Sequence, residues 1–331
     1  MANPSLSLPV AGAAVVGAPR RKRRTDARAA FVFLLPNGVG FLVFTIAPVV
    51  ASLVLSLYSW PLIGTSHFAG LENYTNLFTK DETFRAAIVN TFYFVAAYVP
   101  LNIAVSLGLA VWLRGYSRGR RILRVVFFVP VLTPLVADAV VWSLLYTNRT
   151  GLIDSVIHGL FGVQGPEWLS APQWAMPSII IMSVWQGFGY NMLLFTAGIH
   201  AVPEMYYDAA RVDGASRWRM FRSVTVPLIS PSLYFGILLT VITSFQVFTQ
   251  VYVLTTGGPG TSSTTVVFWL FEKAFNQYAL GYASAIAWVL FVIVIIFTII
   301  QTRLQRRWVH YEVWLAAREV DQGQRSLGAG P

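Results

Sequence analysis

Residues 203–227 read PEMYYDAARVDGASRWRMFRSVTVP, a polar and charged segment set between two long apolar ones. Locally, these residues predict a short helix, a break and a second short helix. Glu204 and Asp208 suit the positive N-terminal end of the first helix, and Ala209 and Ala210 propagate it. Gly214 takes the positive φ that ends a helix, and Ser216 then caps a second helix expected over 217–223, with Pro227 closing the segment. In the second helix Trp218, Phe221 and Arg222 recur at helical spacing, so one edge is apolar and the other cationic. An edge of this kind is suited to docking.

Outward from this segment the chain is strongly apolar. Of its 331 residues 56% are hydrophobic and 11% charged, which leaves too little charge to cover a soluble domain and defines an integral membrane protein. Six runs are long enough for the roughly 20 residues that a bilayer crossing requires: 29–58, 84–113, 122–146, 175–199, 228–254 and 279–302. Every backbone polar group must be paired inside lipid, so runs of this length are expected as helices, with Pro36 and Pro48 kinking the first. The expected architecture is all-α with six transmembrane helices: a basic, disordered tail over 1–28, a membrane domain over 29–306 and a second tail over 307–331.

The net charge of +10 is arranged by topology rather than as a nucleic-acid footprint. Six cations precede the first run, five (Arg114, Arg118, Arg120, Arg121, Arg124) follow the second, four (Arg211, Arg217, Arg219, Arg222) lie in the 203–227 segment and five follow the last run. Only Lys80, Arg85, Arg149 and Lys273 fall on the other side, so 20 of 24 cations agree with both termini and the 203–227 loop being cytoplasmic. The cluster Arg20–Arg24 is expected against anionic membrane lipid, and no nucleic-acid partner is expected. With no cysteine and four scattered histidines, disulfides and thiolate metal sites are excluded and no metal motif is recognisable. No lysine follows a glycine, so no phosphate-binding loop exists here, and neither a nucleophile with its base nor a carboxylate pair suggests catalysis.

The 203–227 segment resembles the cytoplasmic EAA loop of the membrane subunits of bacterial ABC importers. That pattern is Glu-Ala-Ala, three residues, Gly, nine residues, Ile, one residue, Leu-Pro; here Asp208-Ala209-Ala210, Gly214, Val224 and Val226-Pro227 keep every spacing. Phe68-Ala69-Gly70-Leu71-Glu72-Asn73-Tyr74 and Thr256-Gly257-Gly258-Pro259-Gly260 resemble the sugar-importer branch of that family, and the second stretch, followed by Phe275 and Gly281-Tyr282-Ala283-Ser284-Ala285, resembles the subunit type of the larger maltose permease and the first glycerol-phosphate permease. The resemblance implies a multi-pass permease of the bacterial cytoplasmic membrane whose loop is a coupling helix fitting a cleft on an ATPase. It places the coupling role on Glu204, Asp208, Ala209, Ala210, Asp213, Gly214, Trp218, Phe221, Arg222 and Pro227. It also implies a second, related permease as heterodimer partner, two ATP-binding subunits that carry the ATP and magnesium, and an extracytoplasmic solute-binding protein. This chain itself is expected to be a transport subunit without enzyme activity or cofactor.

For the transported molecule, the polar residues within the apolar runs are the guide. Asp138 is the one ionisable residue deep inside a run, and it faces either a cavity or a partner helix. In the fifth run Thr240, Thr243, Gln246 and Gln250 fall on one helical face, opposite Val241, Phe245, Phe248 and Tyr252. The fourth offers Trp185, Gln186, Tyr190 and Asn191 beside Gly187 and Gly189, which loosen the helix and allow close approach. Aromatic planes cover sugar C–H faces and amides pair with hydroxyls, so the set suits a neutral mono- or oligosaccharide. Interhelical hydrogen bonding is the alternative for any single member. Glycerol 3-phosphate or another small polar solute is the alternative cargo, and a stand-alone secondary transporter or channel the alternative class.

Overall fold

The computed structural model describes residues 23–60, 65–115, 117–306 and 308–309, with side chains from residue 31 on. The expected tails therefore lie almost wholly outside the described residues. The chain divides into two units, Met1–Ala51 and Ser52–Pro331.

In the first unit α1 (Arg23–Phe41) begins within the stretch expected as tail and carries Pro36 inside it. A π-helical turn, Leu42–Ile46, follows and leads into α2 (Ala47–Ser56). The turn sits immediately before Pro48, which has no N–H for the carbonyl one turn back; widening the turn so that the Ala47 N–H reaches the Leu42 carbonyl absorbs that mismatch. Residues 31–56 form an apolar span of 26 residues.

The second unit opens with a two-residue hairpin, β1 (Tyr58–Ser59) antiparallel to β2 (His67–Phe68), with Tyr58 opposite Phe68. After α3 (Glu72–Thr79), Asp81 caps α4 (Glu82–Trp112), its carboxylate accepting the Phe84 N–H at 2.8 Å. The third run is not one helix. α5 (Arg118–Leu132) and α6 (Leu135–Leu145) meet at 98°. Pro134 drives its predecessor Thr133 to ψ 144°, which leaves the Thr133 hydroxyl 2.7 Å from the Pro130 carbonyl that the break exposes.

α7 (Leu152–Phe161) joins α6 to α8 (Pro172–His200), which is unbroken. Gly187 and Gly189 thus do not loosen it; they admit neighbours. A Cβ at Gly189 would lie 2.6 Å from the Phe127 carbonyl of α5, and one at Gly187 would collide with the Tyr98 hydroxyl of α4.

α9 (Glu204–Val212), α10 (Arg217–Met220), a π turn (Phe221–Thr225) and α11 (Val226–Leu228) form the 203–227 segment and its exit. The fifth run is interrupted too. The loop's helical exit, residues 217–228, turns by 72° into α12 (Ser230–Ser244), and the run resumes, after a non-helical Phe245–Phe248, as α13 (Thr249–Leu254). Neither Gly nor Pro causes the second break. The hydroxyls of Thr240, Thr243 and Ser244 all donate back to carbonyls three or four residues earlier, which competes with the helical ladder. The Val247 carbonyl freed there accepts the Thr265 hydroxyl at 3.0 Å.

α14 (Val266–Phe271) and a π turn (Glu272–Asn276) precede α15 (Leu280–Gln305). Among the described residues four helices are long and apolar enough to cross a membrane, and up to six if each bent pair counts as one span. Lipid tails are as apolar as leucine, so the spans associate through close packing and interhelical hydrogen bonds. Phe245, 1% exposed, sits between Phe92 (5.5 Å) and Phe297 (5.1 Å). Asn191 on α8 donates to Asn102 on α4 (2.7 Å) and to Thr240 on α12 (2.8 Å), tying three helices.

Candidate functional site

The 203–227 loop is a helical hairpin presented to solvent at one end of α8. Arg211 holds Asp208 at 2.6 Å and Glu204 at 3.2 Å, while Arg114, from the turn after α4, holds the other Glu204 oxygen at 3.1 Å. Exposed pairs of this kind contribute about 0–1 kcal/mol each, so they orient α9 more than they stabilise it. The anchor is Tyr207, 1% exposed, with the Arg114 guanidinium 3.7 Å above its ring and its hydroxyl 3.2 Å from Thr225. Two cations of separate segments therefore meet one carboxylate, which brings the turn after α4 and the loop to the same end of the molecule.

Between the two helices Gly214 has φ +71°, a conformation closed to most side chains, and the Ser216 hydroxyl accepts the Arg219 N–H at 3.3 Å. The second helix departs from the expected 217–223. It leaves α geometry at Phe221, where a π turn lets the Val226 N–H reach the Phe221 carbonyl just before Pro227. This is the device found before Pro48. Trp218 and Phe221 stack at 5.3 Å, and Met205, Val212 and Trp218 are 69%, 88% and 69% exposed. Ala209, Asp213 and Arg222 are also exposed, and Ala210 and Pro227 half-buried.

A cavity of about 230 Å³ opens where α13 resumes after the second break. It is lined by Gln186, Thr243, Gln246 and Gln250 among the expected residues, together with Phe94, Tyr98, Leu135, Ser244, Val247, Phe248 and Thr249. Thr243, Gln246 and Gln250 converge because the helix breaks, not because they share one continuous helical face, and Gln186 joins them from α8. For the same reason Phe248, assigned to the packing face, lines the cavity instead.

The other four expected residues do not line it. Asn191, 3% exposed, is spent on the three-helix tie. Asp138, 6% exposed, lies at the first turn of α6 with its two oxygens 2.7 and 2.6 Å from the Thr133 hydroxyl, which has a single proton to offer, so this contact closes the α5–α6 break within this chain. Trp185 and Tyr190 are 37% and 48% exposed, with Trp185 packed edge-on to Trp142 at 5.5 Å. Phe94 and Tyr98, stacked at 5.1 Å, were missed. The available signal was Asn102, which donates to the Tyr98 hydroxyl at 3.3 Å: a polar pair at i, i+4 inside an apolar run marks a face turned from lipid.

Apolar spans around an uncharged polar cavity, with a structured hairpin exposed at one end, define a multi-pass membrane permease. The chain belongs to the family of binding-protein-dependent transport system inner membrane components, whose model matches residues 102–310, and is a permease of the ABC-importer type. It is 38% identical over 299 residues to the probable ABC transporter permease protein YesP of Bacillus subtilis, covering 88% of this chain and 95% of that one. It is 34% identical over 286 residues to the trehalose/maltose transport system permease protein MalF of Thermococcus litoralis, covering 85% and 95%. The fold is like that of a solved bacterial ABC transporter involved in the import of the acidic polysaccharide alginate, with a TM-score of 0.73 at 22% identity over 86% of this chain and 96% of that one.

Proposed function

We propose that this chain is one of two related permease subunits that carry a neutral mono- or oligosaccharide across the cytoplasmic membrane, driven by ATP hydrolysis on a partner. The observation that carries the reading is the cavity lining: three glutamine amides, hydroxyls and two stacked rings, with no charged side chain among the described residues. Amides match sugar hydroxyls and rings match sugar C–H faces. Relatives named for trehalose/maltose and, at 32% identity, for diacetylchitobiose uptake support it. A glycerol phosphate would call for a cation in the path, which this lining does not supply.

In this reading the second permease forms the rest of the path. Residues 203–227 seat in the ATPase, where ATP and magnesium are bound, and Asp208, Gly214, Trp218, Phe221 and Arg222 carry the contact. Both termini lie in the cytoplasm, and an extracytoplasmic solute-binding protein delivers the sugar. The test is co-purification of the complex and its ATPase stimulation across a panel of neutral sugars and sugar phosphates. Each lost hydrogen bond contributes on the order of 1 kcal/mol, so Gln246→Leu and Gln250→Leu should each lower uptake roughly fivefold at equal membrane abundance. Stimulation by sugar phosphates alone, with both variants at wild-type uptake, would sink the proposal.

A further inference from the structure

The segment joining α6 to α8 encloses a second cavity, of about 390 Å³, lined by Arg149, Asp154, Ser155, His158, Gly159 and Gln164. The 29 residues of α8, roughly 43 Å of helix, separate it from the 203–227 loop, so the two lie at opposite ends of α8 within the second unit.

Arg149 has φ +63°, unusual for a side chain with a Cβ. Asp154 holds it there: one carboxylate oxygen accepts the Arg149 backbone N–H at 2.8 Å and the other accepts the Trp168 indole N–H at 2.7 Å. Asp154 is 4% exposed, so this acid is committed to fixing the backbone. The Ser155 hydroxyl is turned to the Gly151 carbonyl at 2.9 Å. What remains along the cavity is the Arg149 guanidinium, the His158 imidazole and the Gln164 amide. Among the described residues the Arg149 guanidinium forms no ion pair.

Cations are scarce at this end. Arg85 is paired with Glu82 at 3.6 Å, the Lys273 ammonium lies over the Trp269 and Tyr282 rings at 4.5 and 5.2 Å, and Lys80, at the end of α3, does not line this cavity. A guanidinium on a fixed backbone, beside further donors, matches a carboxylate. Beside it Leu152, Val156 and Leu160 of α7 are 63%, 50% and 72% exposed. A charged anchor with adjoining apolar side chains fits a protein surface better than a free acid.

We propose that this cavity receives a carboxylate side chain of the extracytoplasmic solute-binding protein; the proposal rests on the reading of the chain as an importer permease. The experiment titrates that protein onto the complex in lipid nanodiscs and reads the concentration that half-saturates ATPase stimulation. Arg149→Asn tolerates the positive φ and removes the charge, and His158→Gln leaves the backbone untouched. Arg149→Asn should raise the half-saturating concentration roughly tenfold and flatten its dependence on salt, with maximal stimulation unchanged; His158→Gln should act in the same direction. An unchanged half-saturation and salt dependence in Arg149→Asn, with wild type stimulated normally, overturns the docking site and leaves the importer reading standing. Absence of stimulation in wild type brings down both. Thermal stabilisation of wild type but not Arg149→Asn by free glucuronate, without binding protein, would make this a small-acid site and also overturn the proposal.

Discussion

One methyl group has opposite consequences at Gly189 and Gly108. At Gly189 it meets the Phe127 carbonyl at 2.6 Å, whereas at Gly108 nothing lies within 4 Å. Gly189→Ala should therefore force α5 off α8 and destabilise the fold by about 1–3 kcal/mol, while Gly108→Ala should be neutral or slightly stabilising. Thermal unfolding of the two variants in the same detergent is the check, and equal midpoints would contradict the packing described. At this scale the sequence was legible where a residue acts on the backbone beside it, as with Gly214 and Ser216. It was illegible where a side chain had to choose among neighbours. Asn191 reads the same whether it meets sugar, water or Asn102, and only the approach of α4 and α12 decides for the tie.

At the scale of elements, the hairpin was legible because each of its signals is local: an acid at the start, a glycine at the break, a hydroxyl cap after it. The broken spans were not, although Thr133-Pro134 announced the first. An apolar run of bilayer length outweighs one proline in a hydropathy reading, and the break at Phe245–Phe248 depends on hydroxyls bonding to their own helix. If α9 to α11 form the docking element, Gly214→Pro should abolish the turn, because proline fixes φ near −65° where +71° is required. The protein should still insert in the membrane yet fail to retain the ATPase on co-purification. Trp218→Ala removes an exposed ring and disturbs no core, so it should leave the unfolding midpoint unchanged while lowering uptake about tenfold or more. Full uptake in both variants would remove the hairpin from the coupling path.

At the scale of the molecule, the second unit has two ends that differ in charge and in build. Tags at either terminus or at Arg217 should be unreactive to impermeant reagents in intact cells, and a tag between residues 257 and 263 should react. Reaction at Arg217 from outside would invert the topology. The direction inferred from cation placement is what the labelling tests. The number of crossings was legible at this scale because membrane solvation is unforgiving and apolar length sets it. The cavity's full wall was not, since Phe94 and Tyr98 come from a span some 90 residues before Gln186 and reach it only through helix packing.

Arg114 gives this arrangement a mechanical corollary. It stands at the far end of the helix that bears Phe94 and Tyr98, and it grips Glu204 and Tyr207 of the hairpin directly. The hairpin thus has a third tether besides the two chain segments leading in and out of it. A tug on the hairpin should be felt along α4 as a pushrod, arriving at the aromatic wall of the cavity without having to travel through α8. Arg114→Ala should then leave the ATPase bound and hydrolysing while uptake per ATP falls, a slipping clutch that simultaneous flux and phosphate-release measurements would expose.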